Sequence, residues 1–191
     1  SNCSFTANTA TNGGGFASFN SGNFSMSNCT FSTNTASAIG GGIFSSNTSS
    51  GTITNCILRG NTGGPATRQN IYKDTGTTVL SVSYSIIADY NSAAVNNYTA
   101  GANILSVDPL FVNAANPAGA DGKLGTADDG IALSSCSPAV NAGNTTMPPL
   151  PQDILNNNRV GGYDMGAYEY QSAATLPILA STNTTNTRMA Y

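Results

Sequence analysis

The chain has 191 residues with nine acidic and six basic side chains, a net charge of −3, no histidine and no tryptophan. Charged residues make up only 8%, whereas Ser, Thr, Asn and Gly take 22, 23, 24 and 21 positions. Without histidine, Ser-His-Asp and Cys-His catalysis and zinc fingers are excluded, and no basic footprint for nucleic acid is present. No apolar run approaches the length of a membrane span and no signal peptide opens the chain. Any targeting segment is expected outside this stretch.

In chain order, the first element is a repeat. "SNCSFTANTATNGGGF" at Ser1 to Phe16 returns as "SNCTFSTNTASAIGGGIF" at Ser27 to Phe44. Asn28 follows Asn2 by 26 residues, and Asn55 of a third Asn-Cys follows Asn28 by 27. Cys3, Phe5 and Asn8 recur as Cys29, Phe31 and Asn34, then as Cys56, Leu58 and Asn61. Cys and Phe two apart fall on one face of an extended strand, with Ser4 and Thr30 on the other, which predicts short strands with the Cys-Phe face buried. The Gly13 to Gly15 and Gly40 to Gly42 segments, and a worn Gly63-Gly64, read as corners. A fourth, fainter copy, "VSYSIIADYN", aligns Ser85, Ile87 and Asn91 with Cys, Phe and Asn.

A unit of about 26 residues with several short strands and no helical period must stack on its neighbours to bury its face. The expected fold is all-β: a right-handed, single-stranded parallel β-helix of five to six coils over residues 1 to about 170. Phe5, Phe31, Leu58 and Ile87 are predicted to form one interior column. Asn8, Asn34 and Asn61 are predicted to form an amide ladder that satisfies groups otherwise costing about 1–3 kcal/mol each. Cys3, Cys29 and Cys56 read as stacked, buried free thiols, with inter-coil disulfides the weaker alternative. A β-sandwich is the competing fold.

"FTAN" at Phe5 to Asn8, "FSTN" at Phe31 to Asn34 and the Gly-Gly-Gly segments resemble the repeats of bacterial surface β-helix proteins, including polymorphic outer-membrane proteins. "VDPLFVN" at Val107 to Asn113, "SPAVNAGN" at Ser137 to Asn144 and "DILNNNRVGGYDMGAYEY" at Asp153 to Tyr170 resemble the closing segment of pectate-lyase-like β-helix proteins of the choice-of-anchor type. Asn141 departs from that pattern, which more often has Asp. The resemblance implies a secreted protein held at the bacterial cell surface, and the partner expected is a polysaccharide or a host or neighbouring cell surface.

The expected organisation is repeat coils over 1–106, closing coils and a cap over 107–171 with an acidic loop at 116–130, and a linker or following module over 172–191. The first strand lacks a covering helix, so the chain is expected to be the C-terminal portion of a longer helix, with further coils ahead of Ser1.

No residue is assigned a catalytic role. A polysaccharide lyase on this scaffold needs an acidic calcium-binding face, and the repeat coils carry only Arg59, Arg68, Lys73, Asp74 and Asp89. Glycosidase carboxylates would come from Asp108, Asp153, Asp164 or Glu169, but Asp153, Arg159, Asp164 and Glu169 read as a structural charge cluster. The function expected is a non-enzymatic stalk or adhesin module. The alternatives are a divergent polysaccharide lyase or hydrolase and a carbohydrate-binding module drawing on Tyr72, Tyr84, Tyr90 and Tyr98; a threonine column at Thr9, Thr35 and Thr62 is the slender case for ice binding. In "GADGKLGTADDG" at Gly119 to Gly130, Asp121, Asp128 and Asp129 are candidate ligands for one calcium ion. The alternative there is an Asp-Gly turn bonded to its own backbone.

Overall fold

Left-handed corners, three in each of the first two repeats, divide the chain into short strands that must stack to bury their faces. Asn2, Asn28 and Asn55 hold φ between 50° and 55° at the first corner, and Tyr84 and Asn103 continue that column. Asparagine tolerates this region better than other residues with a side chain. Ala7, Thr33 and Gly60 make the second corner and Gly13 and Gly40 the third. A Cβ on Gly41 would lie 2.2 Å from the Thr62 carbonyl oxygen, so close coil-to-coil approach also demands glycine there.

The computed structural model describes residues 1–76, 78–91, 97–146 and 150–171. The linker expected at 172–191 lies outside the described residues. The first coil holds β1 (Ser4–Thr6), β2 (Thr9–Asn12), β3 (Phe16–Ser18) and β4 (Asn23–Ser27). The second holds β5 (Thr30–Ser32), β6 (Thr35–Ile39), β7 (Ile43–Ser45) and β8 (Ser50–Thr54). The third holds β9 (Ile57–Arg59), β10 (Ile71–Lys73) and β11 (Leu80–Ser83), followed by β12 (Ser85–Ile87), β13 (Thr99–Ala100) and β14 (Ile104–Leu105). These stack into parallel sheets in the orders β1-β5-β9-β12-β14, β2-β6, β3-β7-β10 and β4-β8-β11-β13.

The result is an all-β parallel solenoid of about three turns, fewer than the five to six coils expected. The difference lies beyond Leu105, where Pro, Gly and Asn break up the period-two pattern. Between Val107 and Gln171 the described chain makes turns and isolated bridges.

Phe5, Phe31, Leu58 and Ile87 are in register across β1, β5, β9 and β12, as the repeat predicts. The Phe5 and Phe31 rings stack at 4.5 Å with 5° between their planes. Met26, Ile53 and Val82 join the same interior from the β4-β8-β11 sheet. A second core lies outside the solenoid. There Ile57 and Ile86, on the outer face of the β1-β5-β9-β12-β14 sheet, pack under Leu133, Ala139 and Met165. The closing segment therefore covers that sheet from the side, and Thr30 beneath it is buried.

The thiol column corrects one expectation. Cys29 and Cys56 are buried and all four cysteines are free, but Cys3 is exposed because no described coil covers the first one. The sulfurs of Cys3, Cys29 and Cys56 each bond the carbonyl two residues back, at 3.1, 3.3 and 3.2 Å. Ser85 repeats that bond with its hydroxyl at 2.8 Å. A short side chain carrying a donor is what this position needs, which is why Ser can replace Cys.

Candidate functional site: two asparagine columns and the closing segment

The predicted amide ladder is present. Asn8 Nδ2 donates to Asn34 Oδ1 at 3.0 Å and Asn34 Nδ2 to Asn61 Oδ1 at 2.9 Å. Each buried rung also donates back to the preceding coil, Asn34 to Phe5 O at 2.8 Å and Asn61 to Phe31 O at 3.0 Å. Beyond Asn61 the ladder continues through Asn70. Asn61 donates to Asn70 Oδ1 at 2.8 Å, and Asn70 Nδ2 to Asp89 Oδ1 at 2.9 Å. Asp89 Oδ2 accepts the Gln69 and Asn70 amides at 2.6 and 3.1 Å. A carboxylate only accepts, so it closes the ladder.

The asparagines of the three Asn-Cys pairs, with Asn103 in line after them, form a second column, turned outward, for which the sequence alone suggests no partner. Asn2 Nδ2 donates to Gln152 O at 2.6 Å, Asn28 to Asp164 O at 3.0 Å, Asn55 to Asn144 O at 3.1 Å and Asn103 to Ala142 O at 2.8 Å. Asn55 Oδ1 accepts the Asn144 amide at 2.7 Å. The repeat thus writes a row of amides that grip the closing segment along the side of the solenoid.

The carboxylates of that segment bond backbone. Glu169 receives Val160 N at 2.9 Å and Asp164 N at 3.1 Å and pairs with Arg159 at 2.8 Å, with both side chains of the pair at most 1% exposed. Asp153 accepts the amides of Leu155, Asn157 and Glu169 at 2.8 to 3.0 Å. Asp164 accepts Asn141 N at 2.7 Å and Tyr170 N at 2.6 Å, and burial pushes its carboxyl up to about 6. Arg159 also reaches Asn2 Oδ1 at 2.9 Å, tying the cluster to the first coil. Asn141 accepts Gly162 N at 2.6 Å through its Oδ1. Asp108 stands apart, exposed, paired with Arg59 at 3.2 Å.

The acidic loop places Asp121 and Asp128 around Thr126. Asp128 Oδ2 accepts Ala120 N at 2.6 Å and Asp121 N at 3.1 Å, and its Oδ1 accepts the Thr126 hydroxyl at 2.8 Å. The Thr126 bond is the main cause of a lowered Asp128 pKa. Asp121 Oδ1 accepts Lys123 N at 2.8 Å. Asp129 turns away into the core, where it accepts Gly125 N at 2.6 Å, Thr126 N at 3.1 Å and the Tyr168 hydroxyl. Its other oxygen is buried with no partner among the described residues. The three carboxylates do not converge, and no group of three or more potential ligand side chains with metal-holding geometry occurs among the described residues.

The four tyrosines do not gather into one platform. Tyr90 and Tyr98 pack on the interior core, Tyr84 on the outer one, and Tyr72 stacks on Phe44 at 6.2 Å beneath the Arg68 guanidinium. On the β4-β8-β11-β13 sheet, Ser25, Thr52, Ser81 and Thr99 stand in register, with Thr52 donating to Ser25 at 3.0 Å.

No protein-family model matches the chain, and no curated protein is significantly similar to it. No helix among the described residues is long and apolar enough to cross a membrane.

Proposed function

We propose that the chain is a non-enzymatic segment of a right-handed, pectate-lyase-like β-helix belonging to a large, exported bacterial cell-surface protein, in which it serves as a stalk or adhesin. The observation that carries this reading is the engagement of the closing segment's carboxylates. Asp153, Asp164 and Glu169 each accept two or more backbone amides, so they organise turns and are not poised over a substrate. Acid–base work on a glycoside needs carboxyl groups facing an open cleft. The low charge and the repeat's resemblance to surface proteins point the same way. Calcium plays no part in this reading, because Asp128 already spends both oxygens within its own loop.

Glycan binding without cleavage is the second reading, favoured by the exposed, uncharged row at Ser25, Thr52 and Thr99. A glycan array and turnover assays on acidic and neutral polysaccharides test both. Binding without turnover is the adhesin result and silence is the stalk result; bond cleavage by the purified chain overturns the proposal.

A further inference from the structure

The thiols of the repeat stand in one line. Ser4, Thr30 and Ile57 are in register across β1, β5 and β9, so Cys3, Cys29 and Cys56, one residue earlier, occupy equal positions of three successive coils. Thr30 N donates to Cys3 O at 3.0 Å and Ile57 N to Cys29 O at 2.9 Å, which carries the stacking through the cysteines themselves. All three sulfurs bond the carbonyl two residues back, so the side chains point the same way and the sulfur spacing follows the coil spacing of about 4.8 Å. That separation is more than twice a disulfide bond of about 2.0 Å, and all three thiols are free. It is close to twice a metal–thiolate bond of about 2.3 Å. Parallel thiols so spaced can hold an ion in line between two sulfurs.

We propose that Cys3 and Cys29 form a two-thiolate site for a soft monovalent cation, Cu(I) or Ag(I). Soft thiolates select such ions over hard ones, and ligation in line needs only a pair of sulfurs. Binding replaces two S–H bonds by two sulfur–metal bonds and releases two protons; no electron moves. The complex, two thiolates on one cation, is anionic, and that selects the pair. Between Cys29 and Cys56 the charge would be wholly buried, whereas Cys3 is exposed and opens the outer pair to water and to the incoming ion. Loss of the Cys29 S–H leaves Ser27 O its bond from Asn2 N at 3.1 Å. The ionisation of the column agrees: the hydrogen bond with Cys56 lowers the Cys29 thiol to about 6, and burial pushes the Cys56 thiol up. Cys29 thus gives up its proton while Cys56 keeps one to donate, as a hydrogen-bond partner behind a ligand does.

The test is a titration of the reduced chain, without oxygen, against Cu(I) held by a chromophoric chelator. The chain should withdraw one equivalent, gain a thiolate-to-metal charge-transfer band in the ultraviolet, remain a monomer and melt at a higher temperature. Cys3→Ser and Cys29→Ser should each abolish the withdrawal, the band and the rise in melting temperature. Both should fold, because Ser85 fills the same position of the fourth coil and makes the same carbonyl bond at 2.8 Å; unchanged circular dichroism of the copper-free variants checks this. Cys136→Ser, at an exposed cysteine outside the column, should keep the full equivalent. So should Cys56→Ser, whose hydroxyl still has a hydrogen to donate. The proposal is overturned if the reduced chain withdraws no copper, if binding survives Cys3→Ser or Cys29→Ser, or if it is lost in Cys136→Ser. Loss in Cys56→Ser would place the ion in the inner pair, and binding only as a dimer would place it between two chains; either outcome also overturns it.

Discussion

Asparagine occupies two columns of this solenoid and does a different job in each. Asn8, Asn34 and Asn61 look along the axis and bond their own column and the coil before it, so their partners recur with the repeat until Asn61 hands the ladder to Asn70. Asn2, Asn28, Asn55 and Asn103 look outward and bond Gln152, Asp164, Asn144 and Ala142, which are not repeated. The first column makes the coils one body. The second fixes a non-repeating segment to that body, and the left-handed corner that turns the strand also aims the side chain outward. One residue type, chosen twice for its paired donor and acceptor, thus serves both propagation and attachment.

The largest effect should come from the inner column. Asn34→Ala leaves Phe5 O and Asn61 Oδ1 short of a donor and strips Asn8 of its acceptor, at a fully buried position. With about 1–3 kcal/mol for each buried group left unsatisfied, a loss of about 3 kcal/mol or more is expected. Urea unfolding should show it as a lower midpoint at unchanged slope. A loss below about 1 kcal/mol would mean that the ladder carries no special weight.

The outer column should cost less and act locally. Asn55→Gly keeps the φ of 55° without strain and removes only the bonds to Asn28 and Asn144, so about 1–2 kcal/mol is expected. Hydrogen exchange should rise around 139–146 while the β5 and β9 amides stay protected. Equal deprotection of the strands would erase the distinction between the columns.

Attachment of the closing segment should also depend on pH. The folded Asp164 carboxyl sits at about 6, above its ordinary range, mainly through burial, with Glu169 raising it and Arg159 lowering it. A pKa raised by folding adds stability below the unfolded value and loses it as pH climbs through the folded value. Exchange of the Asn141 and Tyr170 amides should therefore be slower, after correction for intrinsic rates, at pH 5 than at pH 7. Asp164→Asn should flatten the dependence.

What the sequence disclosed follows the same division. The interior column and the inner ladder were legible because each repeat states them again, and stacking brings equal positions together. The outer column was visible as Asn-Cys, but its partners lie more than a hundred residues away in the cases of Asn2 and Asn28, with no period to mark them. The ladder beyond Asn61 was not legible, because its next partners do not keep the spacing of the repeat. The structure uses Asn70, nine residues after Asn61, and the carboxylate of Asp89, a substitution that hydrogen-bond chemistry permits and alignment does not reveal. The closing segment was read partly as further coils. Its motifs instead direct carboxylates to amides within tight turns, a pattern with no strand period.

The smallest effect concerns the second corner, where neither column's chemistry is at stake. Ala7, Thr33 and Gly60 occupy it at φ of 56°, 56° and 69°. A left-handed conformation costs a residue with a side chain about 1–2 kcal/mol, and a β-branched residue is the least suited to it. Thr33 is exposed and its hydroxyl bonds only the adjoining Ser32 carbonyl at 2.7 Å, so little opposes its replacement. Thr33→Gly should therefore stabilise the chain by about 0.5–1 kcal/mol, the strain relief less the extra chain entropy of glycine. The reverse exchange, Gly60→Ala, should destabilise by about 1 kcal/mol. At Gly60 a Cβ would find its nearest neighbour, Thr33 Cγ2, 3.8 Å away, so crowding adds nothing and the backbone angle alone sets the sign. Opposite shifts in melting temperature would locate the effect in the corner's backbone. A loss on Thr33→Gly would show that the hydroxyl bond to Ser32 outweighs the strain.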